Sequence, residues 1–173
     1  MIYYLFSIIV FVIDQVTKRL IVVNMEEGES NSVIGTFFQL TSHRNRGAAF
    51  GILQDQRWFF ICITIVILAG IIWYIQKLRK DQSKTLMKVA LSILLGGATG
   101  NFVDRALFGE VVDFLHFRFV FSLFGWDVDY DYAIFNVADS AIVIGVALIF
   151  LDSILAWRKE RRGLTHGQQQ DHV

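Results

Sequence analysis

Two aspartates in the sequence, Asp113 and Asp139, lack a neighbour that would neutralise them. Neither has a lysine or an arginine three or four residues away, and Asp139 lies within an otherwise apolar run. An ionised carboxylate at the centre of a bilayer costs about 2.5–3.5 kcal/mol. Two carboxyl groups that lie close together in a low dielectric instead keep one proton between them, which suits them to general acid–base chemistry. The two residues are therefore candidates for a functional site.

Further polar residues interrupt the apolar runs. Asp14 and Lys18 are four residues apart, which predicts an ion pair on one helix face. Asn101 and Asn136 are equally compatible with hydrogen bonds between helices and with a role in a site. The segment LLGGATG supplies small residues that let two helices approach closely.

The composition indicates a membrane protein. Of 173 residues, 54% are hydrophobic, none is proline, and the mean hydropathy is +0.49. A soluble domain of this length needs a more charged exterior. The formal net charge is zero, so no overall basic field points to nucleic acid.

Four apolar runs are each near the ~20 residues that span a bilayer. They predict transmembrane helices at residues 2–23, 58–75, 86–103 and 133–155. We expect one four-helix domain over residues 1–157, with outer connections at 24–57 and 104–132 and a polar cytoplasmic tail at 158–173.

The charges orient these helices. The connection after the second helix and the segment WRKERR are rich in lysine and arginine, which places both in the cytoplasm. The two long connections hold ten acidic and five basic residues and are expected to face outward. Both termini are then cytoplasmic. Asp14, Asn101, Asp104 and Asp139 all come to the outer side, with Asp139 about 9 Å deep if its helix begins at Ala133.

The outer connections predict some β structure. TFFQLTSHRN begins like a strand, and aromatic residues alternate at Phe117, Phe119 and Phe121, as in a strand or a flap on the membrane surface. DVDYDY resembles the start of a calcium loop but lacks the glycine and glutamate that such a loop requires. We expect a solvated acidic loop there.

Five motifs occur in order along the chain: DQVTK, NRGAAFG, GGATGNFVDR, VVDF and FNVADSAI. Together they resemble the motif series of the lipoprotein signal peptidase family, also called signal peptidase II. The resemblance covers about residues 14–145. It implies an aspartic endopeptidase of the bacterial cytoplasmic membrane, with four membrane helices and an active site toward the extracytoplasmic face. Such an enzyme removes the signal peptide of a prolipoprotein just before a cysteine that carries diacylglycerol.

The resemblance also implies roles for particular residues. Asp113 and Asp139 match the catalytic pair of that family. The positions that match support or substrate-binding residues are Asp14, Lys18, Asn45, Gly47, Asn101, Asp104, Arg105 and Asn136. The family implies no metal and no cofactor. Its expected partners are lipid-modified prolipoprotein signal peptides, membrane phospholipid and a globomycin-type inhibitor, and we expect a monomer.

One departure and several alternatives accompany this interpretation. The family commonly has proline where this chain has Ala133, which affects the rigidity of the loop before the fourth helix. Arg105 can pair with Asp104 or Asp14, or bind carbonyl groups of the substrate. A small ion- or proton-coupled carrier is the alternative function, because intramembrane acids and amides also form proton relays. A zinc protease is disfavoured, since the sequence contains no H-E-x-x-H.

Overall fold

The structure is a computed structural model that describes residues 2–47, 56–123 and 125–170, without the side chains of residues 123 and 162–170. Residues 48–51 of the NRGAAFG motif lie outside the described residues. The helices are α1 (Tyr3–Asn24), α2 (Arg57–Lys77), α3 (Thr85–Leu107, preceded by a 3-10 turn at Gln82–Lys84) and α4 (Val137–Gln170). The strands are β1 (Ser30–Ile34), β2 (Phe38–Asn45), β3 (Val111–Leu123) and β4 (Trp126–Asp131).

Three segments in the described part are long and apolar enough to cross a membrane. They are Arg57–Lys77, Gln82–Leu107 and Val137–Arg161. α3 is the central helix, because α1, α2 and α4 all pack against it. Many large apolar side chains of α1, α2 and α4 point away from α3 and are exposed at the surface. This outward-facing apolar surface is the one expected of helices in contact with lipid.

Glycines on α3 bring the helices together, as the LLGGATG segment predicts. A Cβ at Gly96 would lie 2.6 Å from the carbonyl oxygen of Ser7 on α1. A Cβ at Gly97 would lie 2.5 Å from the carbonyl oxygen of Ala138 on α4. Both approaches are too close for any side chain, so the two glycines determine how near α1 and α4 come to α3.

Replacing Gly97 with valine is expected to destabilise the protein by about 1–3 kcal/mol, because the added atoms force α3 and α4 apart. Gly70→Val is the matched control, since no atom lies within 4 Å of a Cβ at Gly70 on α2. The melting temperature in detergent measures both effects. Equal melting temperatures for the two variants would contradict the close packing of α3 on α4.

The strands form one antiparallel sheet in the order β1-β2-β3-β4. The predicted strand in TFFQLTSHRN is confirmed as β2. Of the two alternatives for the segment with aromatic residues at Phe117, Phe119 and Phe121, a strand or a flap, the structure has the strand, β3. The prediction of a loop at DVDYDY is wrong, because all of this segment except Tyr132 is part of β4. Its acidic residues are exposed while its backbone pairs with β3, and Asp129 forms an ion pair with Arg118 across the two strands, 2.6 Å long.

The fourth helix begins at Val137, not at Ala133. Asn136 ends the preceding extended segment and caps the helix, since its Oδ1 accepts a hydrogen bond from the backbone N–H of Asp139 (2.9 Å). The Asp139 carboxylate in turn accepts from the backbone N–H of Asn136 (3.1 Å). This reciprocal arrangement is a capping box. Asp139 therefore lies about 3 Å from the helix start, not 9 Å.

The far end of α4 is also longer than expected. Its backbone is helical to Gln170, so most of the predicted polar tail continues the helix.

The hydrophobic core between the helices lies at the same end of the bundle as the start of α3, and includes Ile71, Ile75, Met87 and Leu91. The polar residues of interest lie at the other end, where α3 ends and α4 begins.

Candidate active site

Asn136 connects the two candidate aspartates. Asp113 lies near the start of β3, and Asp139 lies in the first turn of α4. The Nδ2 of Asn136 donates a hydrogen bond to Asp113 Oδ1 (2.6 Å). Its backbone N–H donates to Asp139 Oδ2, within the capping box. One residue thus holds both carboxyl groups, because the capping box fixes the side chain of Asn136 as it fixes that of Asp139.

Two further asparagines complete the hydrogen bonds of the carboxyl groups. Asn101 on α3 donates from Nδ2 to Asp139 Oδ1 (2.7 Å). Asn45 at the end of β2 donates from Nδ2 to Asp113 Oδ2 (2.9 Å). The register of β2 on β3 explains the second bond, since Asn45 pairs with Val111, two residues before Asp113. Each carboxyl oxygen of the pair therefore has an amide donor.

A buried ion cluster lies next to this pair. Lys18 on α1 donates to Asn101 Oδ1 (2.9 Å) and forms ion pairs with Asp14 Oδ2 (2.8 Å) and Asp104 Oδ2 (2.7 Å). The ion pair of Asp14 with Lys18 was predicted from their spacing and is confirmed. The Lys18 ammonium can only donate, so the oxygen of the Asn101 amide must face it. The Nδ2 of that amide then points to Asp139.

The second carboxylate oxygen of Asp14 forms a hydrogen bond to the start of α4. Asp14 Oδ1 accepts a hydrogen bond from the backbone N–H of Ala138 (2.9 Å), in the first turn of α4. An acid at a helix N-terminus satisfies a donor that has no partner within the helix. Asp14 therefore ties the start of α4 to α1.

Arg105 lines the site without forming an ion pair to a described carboxylate within 4.0 Å. Its guanidinium donates to the carbonyl oxygen of Gly47 (3.0 Å) and lies over the ring of Phe60, 4.9 Å from the centroid. Gly47 in turn donates its N–H to Asn45 Oδ1 (2.9 Å), which orients that amide. The alternative pairing of Arg105 with Asp104 or Asp14 is wrong, because both carboxylates form their ion pairs with Lys18.

The environment of Asp113 favours its protonated form. The residue is only 2% exposed, and this burial is the main cause that raises the pKa of its carboxyl group from 3.8 to about 7. The negative charge of Asp139 contributes to the same rise, while the hydrogen bonds from Asn45 and Asn136 oppose it. Asp113 thus holds a proton up to about pH 7, where an ordinary aspartic acid is already ionised.

A cavity of about 520 Å³ opens onto the two carboxyl groups. Its polar wall includes Asn45, Asn101, Arg105, Asp113 and Asp139. Its apolar wall is made by side chains of α4 and of the segment before it, including Tyr132, Ile134, Phe135, Ile142, Val143 and Ile144. The cavity is therefore polar at the carboxyl groups and apolar along one side.

All ten residues singled out in the sequence come together in this network. The sequence analysis missed three residues, Gln15, Phe60 and Arg57, that contact the network. Gln15 donates to Asp14 Oδ2 (3.2 Å) and Asp104 Oδ1 (3.0 Å), and its place inside DQVTK was the available signal. Phe60 supports Arg105, and Arg57 donates to the carbonyl oxygens of Arg105 and Ala106 (both 2.8 Å). Nothing in the sequence indicated these two residues.

Comparisons with known proteins agree with the motifs. The model of the family described as signal peptidase (SPase) II matches residues 6–155. A lipoprotein signal peptidase of Bacillus pumilus is 49% identical over 165 residues, which is 95% of this chain and 100% of that protein. That of Bacillus subtilis is 46% identical over 162 residues, or 94% and 99% of the two chains.

Solved structures agree as well. One described as a bacterial membrane enzyme has a TM-score of 0.73 and 43% identity, over 92% of this chain and 88% of that one. A second has a TM-score of 0.69 and 44% identity, over 86% and 90%. These similarities leave no support for the carrier alternative. The chain belongs to the signal peptidase II family of membrane-embedded proteases.

Proposed function

We propose that the protein is an aspartic endopeptidase that removes the signal peptide from diacylglyceryl-modified prolipoproteins. Asp113 and Asp139 are its catalytic residues. The cut falls just before the lipidated cysteine, and a globomycin-type inhibitor occupies the same cavity. Membership of the family supports a prolipoprotein as the substrate. The main observation in favour of the mechanism is that Asn136 hydrogen-bonds to both carboxyl groups at one cavity.

Asp113 starts with a proton and acts as the general acid, whereas Asp139 starts ionised and acts as the general base. Asp139 takes a proton from a water molecule while the oxygen of that water attacks the scissile carbonyl carbon. Asp113 donates its proton to the carbonyl oxygen. When the resulting tetrahedral centre collapses, the carbonyl oxygen returns its proton to Asp113. Asp139 gives its proton to the leaving nitrogen as the C–N bond breaks. Both residues then have their starting protonation.

The polar neighbours hold this pair and the substrate. Asn101 and Asn136 fix the Asp139 carboxylate between two donors, while Asn45 and Asn136 fix Asp113. Lys18, Asp14 and Asp104 support Asn101 and the start of α4. Arg105 and Asn45, both on the cavity wall, are placed to bind carbonyl groups of the peptide backbone.

The apolar wall suits a substrate that arrives with its lipid. Val143 lines the cavity and is also 67% exposed on the outer surface of α4. Ile144 likewise lines the cavity and is 51% exposed. The cavity is therefore continuous with a surface that contacts lipid in a membrane. A diacylglyceryl cysteine can enter sideways without leaving the bilayer.

We propose that α1 is a fourth membrane span. Asp14 and Lys18 are buried at 0% and 4% exposure, so the charges that reduce its hydropathy do not face lipid. The exposed side chains before Arg19 are largely apolar, among them Leu5, Ile9 and Val12. The positive-inside rule then places both termini in the cytoplasm, with the active site toward the extracytoplasmic face of the cytoplasmic membrane. We propose a monomer, because the described side chains of one chain already form the hydrogen-bonded network around both aspartates.

The proposed function is tested with purified protein, a diacylglyceryl-modified prolipoprotein and its unmodified precursor. A metal chelator is present throughout. We expect cleavage of the lipidated form only, at the bond before the modified cysteine, as read by mass spectrometry. A globomycin-type inhibitor should abolish it. Equal cleavage of both precursors, or cleavage that the chelator stops, would contradict the proposal.

The pH dependence of kcat/KM is expected to follow the proton on Asp113. This proton is present below its pKa of about 7 and lost above it, so kcat/KM should fall about tenfold per pH unit on the alkaline side. The rate is measured from pH 5 to 9 in one detergent.

Asn45→Ala provides the matched test of the assignment. The Asn45 hydrogen bond lowers the pKa of Asp113, so its removal should move the alkaline limb to higher pH. A rate that rises through pH 7, or a limb that moves to lower pH in Asn45→Ala, would exclude Asp113 as the acid.

A further inference from the structure

A second cavity, of about 1050 Å³, lies at the opposite end of the bundle. It is bounded by the start of α1, the end of α2 and the connection into α3. Tyr3 on its wall precedes Asp14 by eleven residues, which is about 16 Å along α1. The mechanism uses none of the residues in this cavity.

The wall of this cavity is basic. Lys77, Arg79, Lys80 and Lys88 line it, and no described acidic side chain does. Within the described part of the chain, none of these four cations forms an ion pair within 4.0 Å. The nearby Lys84 differs, because it pairs with Asp152 on α4 (3.6 Å) and does not line the cavity.

Lys88 is the strongest sign that an anion belongs there. Its side chain is among the most buried of the described residues, with 1% exposure. Its ammonium donates to the backbone oxygen of Asp81 (2.8 Å) and lies 4.7 Å from the ring centroid of Tyr3. The Asp81 carboxylate does not pair with it, because it caps the 3-10 turn by accepting from the N–H and hydroxyl of Ser83 (2.9 and 2.6 Å).

The Lys88 ammonium has a carbonyl oxygen and the Tyr3 hydroxyl as partners, but no described carboxylate pairs with it. Such a buried cation is costly, and an anion in the cavity would remove that cost. We propose that this cavity binds the phosphodiester headgroup of an anionic phospholipid. Lys88 contacts the phosphate from the inner end, and Arg79, Lys77 and Lys80 surround it at the mouth. Arginine is suited to this role because its planar donors match two phosphate oxygens.

The surroundings favour a lipid over free phosphate. Exposed apolar side chains flank the cavity on α1 and α2, including Leu5 (52% exposed), Ile72 (38%) and Trp73 (62%). Acyl chains can lie along this surface while the headgroup occupies the basic cavity. Trp73 and Tyr74 stack on each other beside it, and such aromatic residues concentrate at the membrane interface, at the level of headgroups.

The test measures lipid binding to the full chain in neutral detergent by native mass spectrometry. The probes are phosphatidylglycerol, phosphatidylcholine and inorganic phosphate. Arg79→Gln and Lys88→Gln are expected to weaken phosphatidylglycerol binding about fivefold each. Lys84→Gln makes the same charge change outside the cavity, and we expect less than a twofold effect.

Equal weakening by all three substitutions would overturn the proposal, because it would indicate diffuse attraction to a basic surface. Equal binding of phosphatidylcholine would also overturn it, since the cavity would then not select an anionic lipid. If millimolar inorganic phosphate displaces phosphatidylglycerol, the ligand is free phosphate and the lipid proposal is overturned. If Lys88→Gln does not fold, the exposed Arg79→Gln against Lys84→Gln decides the outcome.

Discussion

Asparagine in place of Asp139 is expected to lower kcat by at least about 10²–10⁴-fold while the protein remains folded. The amide keeps the size of the carboxylate, but its one oxygen replaces only one of the two carboxylate oxygens, so it accepts from either Asn101 or the backbone N–H of Asn136. The other half of the capping box, from the backbone N–H of residue 139 to Asn136 Oδ1, survives. The amide cannot take a proton from water at neutral pH. Cleavage of a lipidated prolipoprotein measures the loss, and the melting temperature verifies the fold.

Asp113→Asn should cause a loss of the same order, since an amide cannot donate and recover the proton that Asp113 supplies. Asp127→Asn is the matched control, because Asp127 is exposed on β4 and bonds to the hydroxyl of Ser122, away from the cavity. We expect its kcat to be unchanged. A folded Asp113→Asn or Asp139→Asn variant with wild-type kcat would remove that aspartate from the catalytic pair.

Lys18→Met is expected to destabilise the protein by about 3–5 kcal/mol, the largest loss of stability that we predict. The change leaves Asp14 and Asp104 buried at 0% and 4% exposure without their shared cation. It also removes the donor that orients Asn101. The free energy of unfolding in detergent measures the effect.

Arg19→Met serves as the control, because Arg19 is the next residue on α1 and is exposed. It should change stability by less than about 0.5 kcal/mol. Adding Asp104→Asn to Lys18→Met should restore part of the loss, since one uncompensated carboxylate is then neutral. If Lys18→Met and Arg19→Met melt at the same temperature, the ion cluster does not stabilise the fold as argued.

The sequence predicts the helices of this protein well because their signals are local. Apolar runs gave the positions of α1, α2 and α3 to within a few residues, and the spacing of Asp14 and Lys18 predicted their ion pair. The start of α4 was wrong by four residues. Apolar residues already begin at 133–135, whereas the helix starts only after Asn136, which caps it. Capping depends on side-chain geometry that an apolar run does not reveal.

The members of the candidate site could be predicted as a set that lies together, but not their geometry. The ten residues indicated by the unpaired acids and the family motifs form one network in the structure. Which atom bonds to which depends on tertiary contacts: the register of β2 on β3 brings Asn45 to Asp113, and the glycines of α3 bring Asn101 to the start of α4. The choice of Lys18 over Arg105 as the partner of Asp104 depends on the same packing.

The most direct test of the account is a double-mutant comparison of kcat for Asp113→Asn, Asp139→Asn and the variant that carries both, all verified as folded. In the proposed mechanism the two carboxyl groups act as one unit. We therefore expect the double variant to be no slower than the slower single variant, because removing either group already disables the pair. A double variant slowed by the product of the two single losses would show independent contributions and contradict the shared mechanism.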